Sequence, residues 1–277
     1  YEITSVANQT GAVINAASFT GVTDIYLTAS GTENFTVNNL GLINTIHLNT
    51  VNGDAILDYT AASMTGTADD LAFDLDSISS AATIQLTKSA TTTDIIETVS
   101  LDSGSQANTL ADLQTTGIGA TKLEFSGVND LTITAALDSE IVTIDGSAAT
   151  TGGLLVTTAS TAATTVTGGG GNDSFTLTNV ANTVTAGGGN DTVIGGTGND
   201  VITGGDGADS ITASTGTDSI TGGAGNDAVV ITTAQLTVLD TITGGAGTDT
   251  IQVGAGNFAV SDANFANVTG VDAFTVN

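Results

Sequence analysis

The chain has no cysteine, proline, arginine or tryptophan, and only two lysines and one histidine in 277 residues. Without cysteine there is no disulfide, no thiol nucleophile and no thiolate ligand for zinc. Two basic residues against 29 acidic ones leave a formal charge of −27. That balance argues against nucleic acid and against anionic membrane insertion, because both require a basic face. Cations are the natural counter-species, and self-repulsion keeps such a chain soluble while opposing compaction. The single histidine, His47, lies in the alternating run Ile46-His47-Leu48 and reads as a solvent-facing strand residue. No His-Glu-x-x-His zinc motif occurs, no carboxylate pair stands out as a glycosidase couple, and three tyrosines without tryptophan make poor sugar platforms. The chain therefore reads as no enzyme. No apolar run reaches membrane-spanning length. The sequence starts at Tyr1 without methionine and without a basic-then-apolar leader, so a fragment of a longer exported protein is the expectation. An apolar content of 40% with 11% charged residues separates it from acidic disordered proteins.

What is abundant is glycine, and it is periodic. Within residues 168–252 a nine-residue phrase recurs, as in Gly195-Gly196-Thr197-Gly198-Asn199-Asp200-Val201-Ile202-Thr203. Nine slots follow this register, with two degenerate copies at 177–185 and 235–243 and a four-residue insertion at 231–234. Position eight is Phe175, Val184, Val193, Ile202, Ile211, Ile220, Val229, Ile242 and Ile251. Position six is Asp173, Asn182, Asp191, Asp200, Asp209, Asp218, Asp227, Asp240 and Asp249. Position four is glycine except at Val180 and Val238, in the degenerate copies. A flexible linker has no reason to place a large apolar residue at every ninth position.

The phrase can be read physically. Its glycines supply open backbone angles for a tight turn. The last three residues make a short strand with the apolar residue pointing inward. Two turns and two strands, eighteen residues, close one coil, and the next coil stacks at roughly 4.8 Å. Asp173, Asp191, Asp209 and Asp227 then form a column along one edge, and Asp200 lies over Asp218 on the other. Carboxylates about 5 Å apart repel by roughly 3 kcal/mol at an effective dielectric near 20, and no lysine or arginine lies in the stretch. A cation between turns relieves that repulsion. Carboxylates and turn carbonyls make an all-oxygen site, which suits Ca²⁺ better than Mg²⁺ or Zn²⁺. The implied metal residues are Gly168, Gly171, Asp173, Gly187, Gly189, Asp191, Gly196, Gly198, Asp200, Gly205, Gly207, Asp209, Gly216, Asp218, Gly223, Gly225, Asp227, Asp240, Gly245, Gly247 and Asp249. Asn182 weakens the site between 177–182 and 195–200. Ala213-Ser214 replaces a glycine pair, so strain is expected in that turn. If the insertion bulges outward, Asp218 faces Asp240 and Asp227 faces Asp249.

The pattern G-G-x-G-x-D-x-U-x, with U large and apolar, resembles the RTX family of secreted bacterial proteins. The resemblance covers about a third of the chain. It implies a parallel β-roll holding Ca²⁺ between coils, about four or five ions here, with binding coupled to folding. It also implies export by type I secretion and a folded state outside the cell, where calcium is millimolar.

The remaining sequence carries a looser phrase: Val22-x-x-Ile25-x-Leu27, Ile43-x-x-Ile46-x-Leu48, Ile96-x-x-Val99-x-Leu101, Val128-x-x-Leu131-x-Ile133 and Val271-x-x-Phe274-x-Val276. Each reads as a bend entering an alternating strand. Residues 265–271 echo residues 19–25, and Val166 extends the apolar ladder one half-coil upstream. The spacing is uneven, so the expectation is all-β: a right-handed parallel β-solenoid with irregular coils over 1–150, an embedded RTX β-roll over 151–252, and solenoid again over 253–277. An antiparallel sandwich is the alternative for the first half. Short helices are expected within 63–80 and 105–117, the better one around Ala111-Asp112-Leu113. Asp69-Asp70 and Asp74/Asp76 are a second cation candidate, though solvated carboxylates are the commoner outcome.

Three functions fit. The composition and the embedded roll are similar to RTX-type S-layer proteins, which implies a secreted, calcium-dependent structural protein of the bacterial cell surface, self-associating into a lattice and anchored to surface glycan through a region outside this sequence. The alternatives are a segment of a large RTX adhesin, and the secretion and folding module of an exported toxin or hydrolase. An ice-binding threonine ladder is a remote fourth, since threonine fills turn position three only at Thr197, Thr215 and, in a degenerate copy, Thr237.

Overall fold

The structure is a computed structural model and describes residues 2–4, 12–16, 24–28, 34–40, 45–49, 51, 53–59, 70–79, 81–88, 95–178, 180–231, 240–254 and 262–276. Among these residues the chain is all-β, a parallel β-solenoid, with one short 3-10 turn at Asp262–Phe265 and no α-helix.

One sheet of thirteen strands runs the length of the molecule. It takes in Glu2–Thr4, Asp24–Thr28, Thr45–Asn49, Asp70–Asp76, Thr98–Ser103, Lys122–Gly127, Thr143–Ala149, Thr165–Thr167, Thr183–Gly188, Val201–Asp206, Ser219–Ala224, Thr241–Ala246 and Val268–Thr269, in that order. Opposite its early part lies a five-stranded sheet, from Ala12–Asn15 through Phe35–Leu40, Ala55–Tyr59 and Thr83–Lys88 to Asp112–Gln114. Opposite its later part lies a nine-stranded sheet. That sheet comprises Asn108–Leu110, Leu131–Ala136, Leu154–Thr157, Ser174–Thr176, Thr192–Ile194, Ser210–Ala213, Ala228–Ile231, Thr250–Val253 and Ala273–Val276. Every described pairing is parallel, which replaces the sandwich alternative.

Coil length is uneven where the sequence spacing is uneven. Asp24 pairs with Thr45, while Asp70 pairs with Thr98. In the repeat the register settles at eighteen, as Thr183 pairs with Val201 and Val201 with Ser219. After the insertion Ser219 pairs with Thr241 and Ala228 with Thr250, so the extra residues leave the ladder in phase. Residues 232–239, which carry most of the insertion and the start of the second degenerate copy, lie outside the described residues, as do Val22, Ile43, Asp69 and residues 63–68.

The core is a stack of inward side chains. Val166, Val184, Ile202, Ile220 and Ile242 lie in register on the long sheet, and Val156, Phe175, Val193, Ile211, Val229 and Ile251 on the nine-stranded one. All are fully buried. Each contributes on the order of 2–3 kcal/mol relative to exposure. Val166 thus extends the ladder upstream of the repeat, as its spacing suggests, and Ile144 and Val156 carry it further. In the irregular half Ile25, Leu27, Ile46, Leu48, Ile96, Val99, Leu101, Leu131 and Ile133 fill the same interior.

Two expectations fail. The helix around Ala111 is a corner between two strands. Leu110 in the nine-stranded sheet and Leu113 in the five-stranded sheet are both buried because the chain bends between them. The Ala111 amide donates to Ala82 and its carbonyl accepts from Ala135, as a solenoid rung does. The described part of 63–80 is the strand Asp70–Asp76, with a buried-and-outward alternation. Val128, 53% exposed, sits on the bend before Leu131, as its phrase suggests. At the outer edge of the nine-stranded sheet Phe274 stays partly exposed, packed edge-on to Phe265 at 5.4 Å.

Candidate metal centre

The repeat turns occur on two edges of the solenoid. Turns leading from the long sheet to the nine-stranded sheet bring Asp173, Asp191, Asp209, Asp227 and Asp249 into one column, with Gly168, Gly171, Gly187, Gly189, Gly205, Gly207, Gly223, Gly225, Gly245 and Gly247 in the same turns. The return turns bring Asn182, Asp200, Asp218 and Asp240 into a second column, with Gly196, Gly198 and Gly216. The insertion is absorbed as anticipated, Asp240 standing over Asp218 and Asp249 over Asp227.

The columns are joined by backbone bonds of one repeating kind. The amide of Asp173 donates to Asp191 Oδ1 at 2.7 Å, that of Asp191 to Asp209 Oδ1 at 2.9 Å, that of Asp209 to Asp227 Oδ1 at 2.9 Å, and that of Asp227 to Asp249 Oδ1 at 2.9 Å. On the other edge Asp200 donates to Asp218 Oδ1 at 3.0 Å and Asp218 to Asp240 Oδ1 at 2.9 Å. One oxygen of each carboxylate is therefore used to hold the coil before it.

The second oxygen has a different fate. Oδ2 of Asp191, Asp209, Asp227 and Asp249 is buried and has no hydrogen-bond partner. All four atoms belong to the first column. An unpaired buried carboxylate oxygen is costly. The side chains themselves are 1–2% exposed. Burial is the largest influence on the acidity of Asp191, Asp209 and Asp227. It pushes Asp191 up to about 7 and Asp173 and Asp200 up to about 6, and it raises Asp209, Asp218 and Asp227. Charge on the neighbouring aspartates adds to this but ranks below it. Lost hydration, more than mutual repulsion, is thus the penalty that a cation relieves, which corrects the emphasis drawn from stacking alone.

Carbonyl oxygens stand beside the orphaned carboxylates. A Cβ added to Gly204 would meet both Asp209 Oδ2 and the carbonyl of Gly222 in the next coil. At Gly222 it would meet Asp227 Oδ2 and the Gly244 carbonyl, and at Gly244 it would meet Asp249 Oδ2 and the Gly270 carbonyl. In these three turns the first glycine therefore leaves open a recess lined by oxygens from two coils. This role of Gly204, Gly222 and Gly244 was missed from sequence, although position one is glycine there. No group of three or more His, Asp or Glu side chains converges among the described residues, so a cation here needs backbone carbonyls. Such an all-oxygen donor set fits Ca²⁺.

The second and fourth glycines act through the backbone. Gly205 has φ +126°, and a Cβ there would run into the Gly187 carbonyl. The Ala213-Ser214 turn is not strained in this way. Ser214 stays out of the left-handed region, and Gly216 alone takes a positive φ in that turn. A further ladder lies one residue before the aspartates: Asn172, Asn190, Asn199 and Asn226 each accept a backbone amide from the following coil at 2.6–2.8 Å. The recurrence of asparagine at position five was its sequence signal.

The other candidates are engaged elsewhere. His47 faces outward but is partly covered. It stacks on Tyr26 at 4.0 Å, and its Nδ1 lies 2.8 Å from Asp74 Oδ2. Asp76 accepts from Ser77 and Ser105.

Residues 176–211, 203–230 and 240–257 match the family model of the RTX calcium-binding nonapeptide repeat, and no enzyme family is identified. No curated protein and no solved structure matches the chain. RTX nonapeptide repeats bind Ca²⁺ and form a β-roll.

Proposed function

We propose that this chain is a calcium-dependent structural protein of the bacterial cell surface, an S-layer subunit, exported before it folds. Ca²⁺ sits between successive turns, with the aspartates and turn glycines of the two columns supplying oxygen ligands. About four or five ions are expected from the aspartate gaps available, most of them on the edge running from Asp173 to Asp249. The ion neutralises carboxylates that have lost their water, which fixes the roll (151–252) rigidly between the flanking solenoid segments (1–150 and 253–277).

One observation carries this reading. The four orphaned Oδ2 atoms lie along an edge of a sheet that continues, strand by strand, into solenoid on both sides. A stiffened rod suits a lattice component. A detached secretion module at the end of an unrelated enzyme fold would lack that continuity. An adhesin stalk shares it, and the two differ in assembly. The test is chelation and calcium return, followed by circular dichroism, hydrodynamic radius and electron microscopy. Loss of β-signal in chelator, with recovery and ordered sheets on adding Ca²⁺, is the expected outcome. β-signal and radius indifferent to chelator would overturn the calcium dependence, and recovery as single rods would favour the adhesin.

A further inference from the structure

In the return-turn column one rung differs. Where the repeat has aspartate it has Asn182, and the side chain is 2% exposed. Its Nδ2 lies 3.1 Å from the Thr178 carbonyl, 2.7 Å from the Val180 carbonyl, 3.1 Å from the Gly195 carbonyl and 3.2 Å from Asp200 Oδ1. All four partners are acceptors. The other side-chain atom, Oδ1, accepts the Thr164 amide at 3.2 Å. This donor-acceptor pattern fixes the orientation of the amide, because the reverse would set an oxygen against four oxygens. Three carbonyls and a carboxylate from two successive turns thus converge on an NH₂ group.

We infer that the Asn182 amide takes the place of a cation in this rung, which is built to hold without metal. An NH₂ group supplies two positively polarised hydrogens at a fixed point. It satisfies the Gly195 carbonyl, whose counterparts at Gly222 and Gly244 stand beside an orphaned carboxylate oxygen, and it occupies the point an ion would take. The irregular half uses the same device. Asn108, also 2% exposed, donates from Nδ2 to the Leu75 and Gln106 carbonyls while its Oδ1 accepts the Ile78 amide at 2.7 Å. Asn182 extends that metal-free construction into the first coils of the repeat. The rung between 177–182 and 195–200 therefore forms before calcium arrives and presents Asp200 as the start of the return-turn column.

This inference rests on calcium occupying the aspartate rungs, and its test separates the two ideas. Calcium stoichiometry is measured by equilibrium dialysis on the full chain and on Asn182→Asp. The variant is expected to gain one bound ion per chain. In parallel, amide hydrogen exchange is followed on the unaltered chain in chelator. The amide of Asn182, which donates to Asp200 Oδ1 at 2.8 Å, should exchange at least about tenfold more slowly than those of Asp191 and Asp209, as a retained charge-assisted bond implies. An unchanged ion count in a folded Asn182→Asp chain that binds calcium normally overturns the inference. If that variant does not fold, exchange decides alone: equal loss of protection at Asn182, Asp191 and Asp209 overturns it. An unaltered chain that takes up no calcium defeats the proposed function instead, while slow exchange at Asn182 would still support a metal-free rung.

Discussion

Removing calcium should invert the usual response of this protein to acid. Asp191 is the clearest case: burial lifts its carboxyl from 3.8 to about 7. In the calcium-free roll the folded state therefore binds a proton that the unfolded chain releases. Between pH 3.8 and 7 stability falls as pH rises, because the folded state holds more protons than the unfolded one. Each tenfold displacement is worth about 1.36 kcal/mol. With screening by water at the turn rim, the penalty at neutral pH is on the order of 2–4 kcal/mol for Asp191. Asp173 and Asp200, pushed up to about 6, act in the same direction with smaller size. Calcium-loaded protein should show the opposite slope, since the ion requires the carboxylate and acid displaces it. The assay is urea unfolding followed by circular dichroism, at pH 5 and pH 8, in calcium-depleted buffer and in excess Ca²⁺. The expected result is a higher midpoint at pH 5 without calcium and a higher midpoint at pH 8 with it. Midpoints that rise with pH in both series would refute the role given to the buried carboxylates.

Other substitutions separate ligands from scaffold. Asp209→Ala should lower the number of ions bound in equilibrium dialysis, whereas Asp206→Ala, at an exposed turn position, should leave it unchanged; equal losses would contradict the column. Ile211→Ala opens the ladder of the nine-stranded sheet and should cost about 2–5 kcal/mol in urea unfolding with calcium present. Gly205→Ala combines a φ of +126° with a clash on the Gly187 carbonyl, so its stability should drop by at least as much as a strained backbone implies, about 1–3 kcal/mol, read as a lower midpoint in thermal unfolding. A neutral result would mean that neighbouring coils can separate freely.

The repeat was legible because its constraints are simultaneous: the apolar residue at position eight sets the inward ladder and the aspartate at position six sets the edge. Register after the insertion followed from the same logic, as Ile220 pairing with Ile242 requires. The irregular half was less legible because corners look like helices. Leu110 and Leu113 have the spacing of a helical face, yet they belong to strands in different sheets. Three-dimensional stacking decides this, and local periodicity does not contain it. Carboxylate chemistry was half visible. Position six revealed a column of charge, but only the structure divides the carboxylates of Asp191, Asp209, Asp227 and Asp249 into an oxygen that bonds the preceding coil and an oxygen left over. The apparent defect at Asn182 was noticed as a weakened site, whereas its four acceptors identify a substitute donor.

The hydrogen bonds between aspartates all point one way along the axis. Each coil offers an amide, and the acceptor arrives with the coil that follows it in the chain, from Leu154 reaching Asp173 to Asp249 reaching Asp272. A polypeptide emerging amino end first would thus always carry a waiting donor at its growing tip, and every fresh turn would latch what came before. Winding built on such a rule advances in a single direction, like a pawl on a toothed wheel.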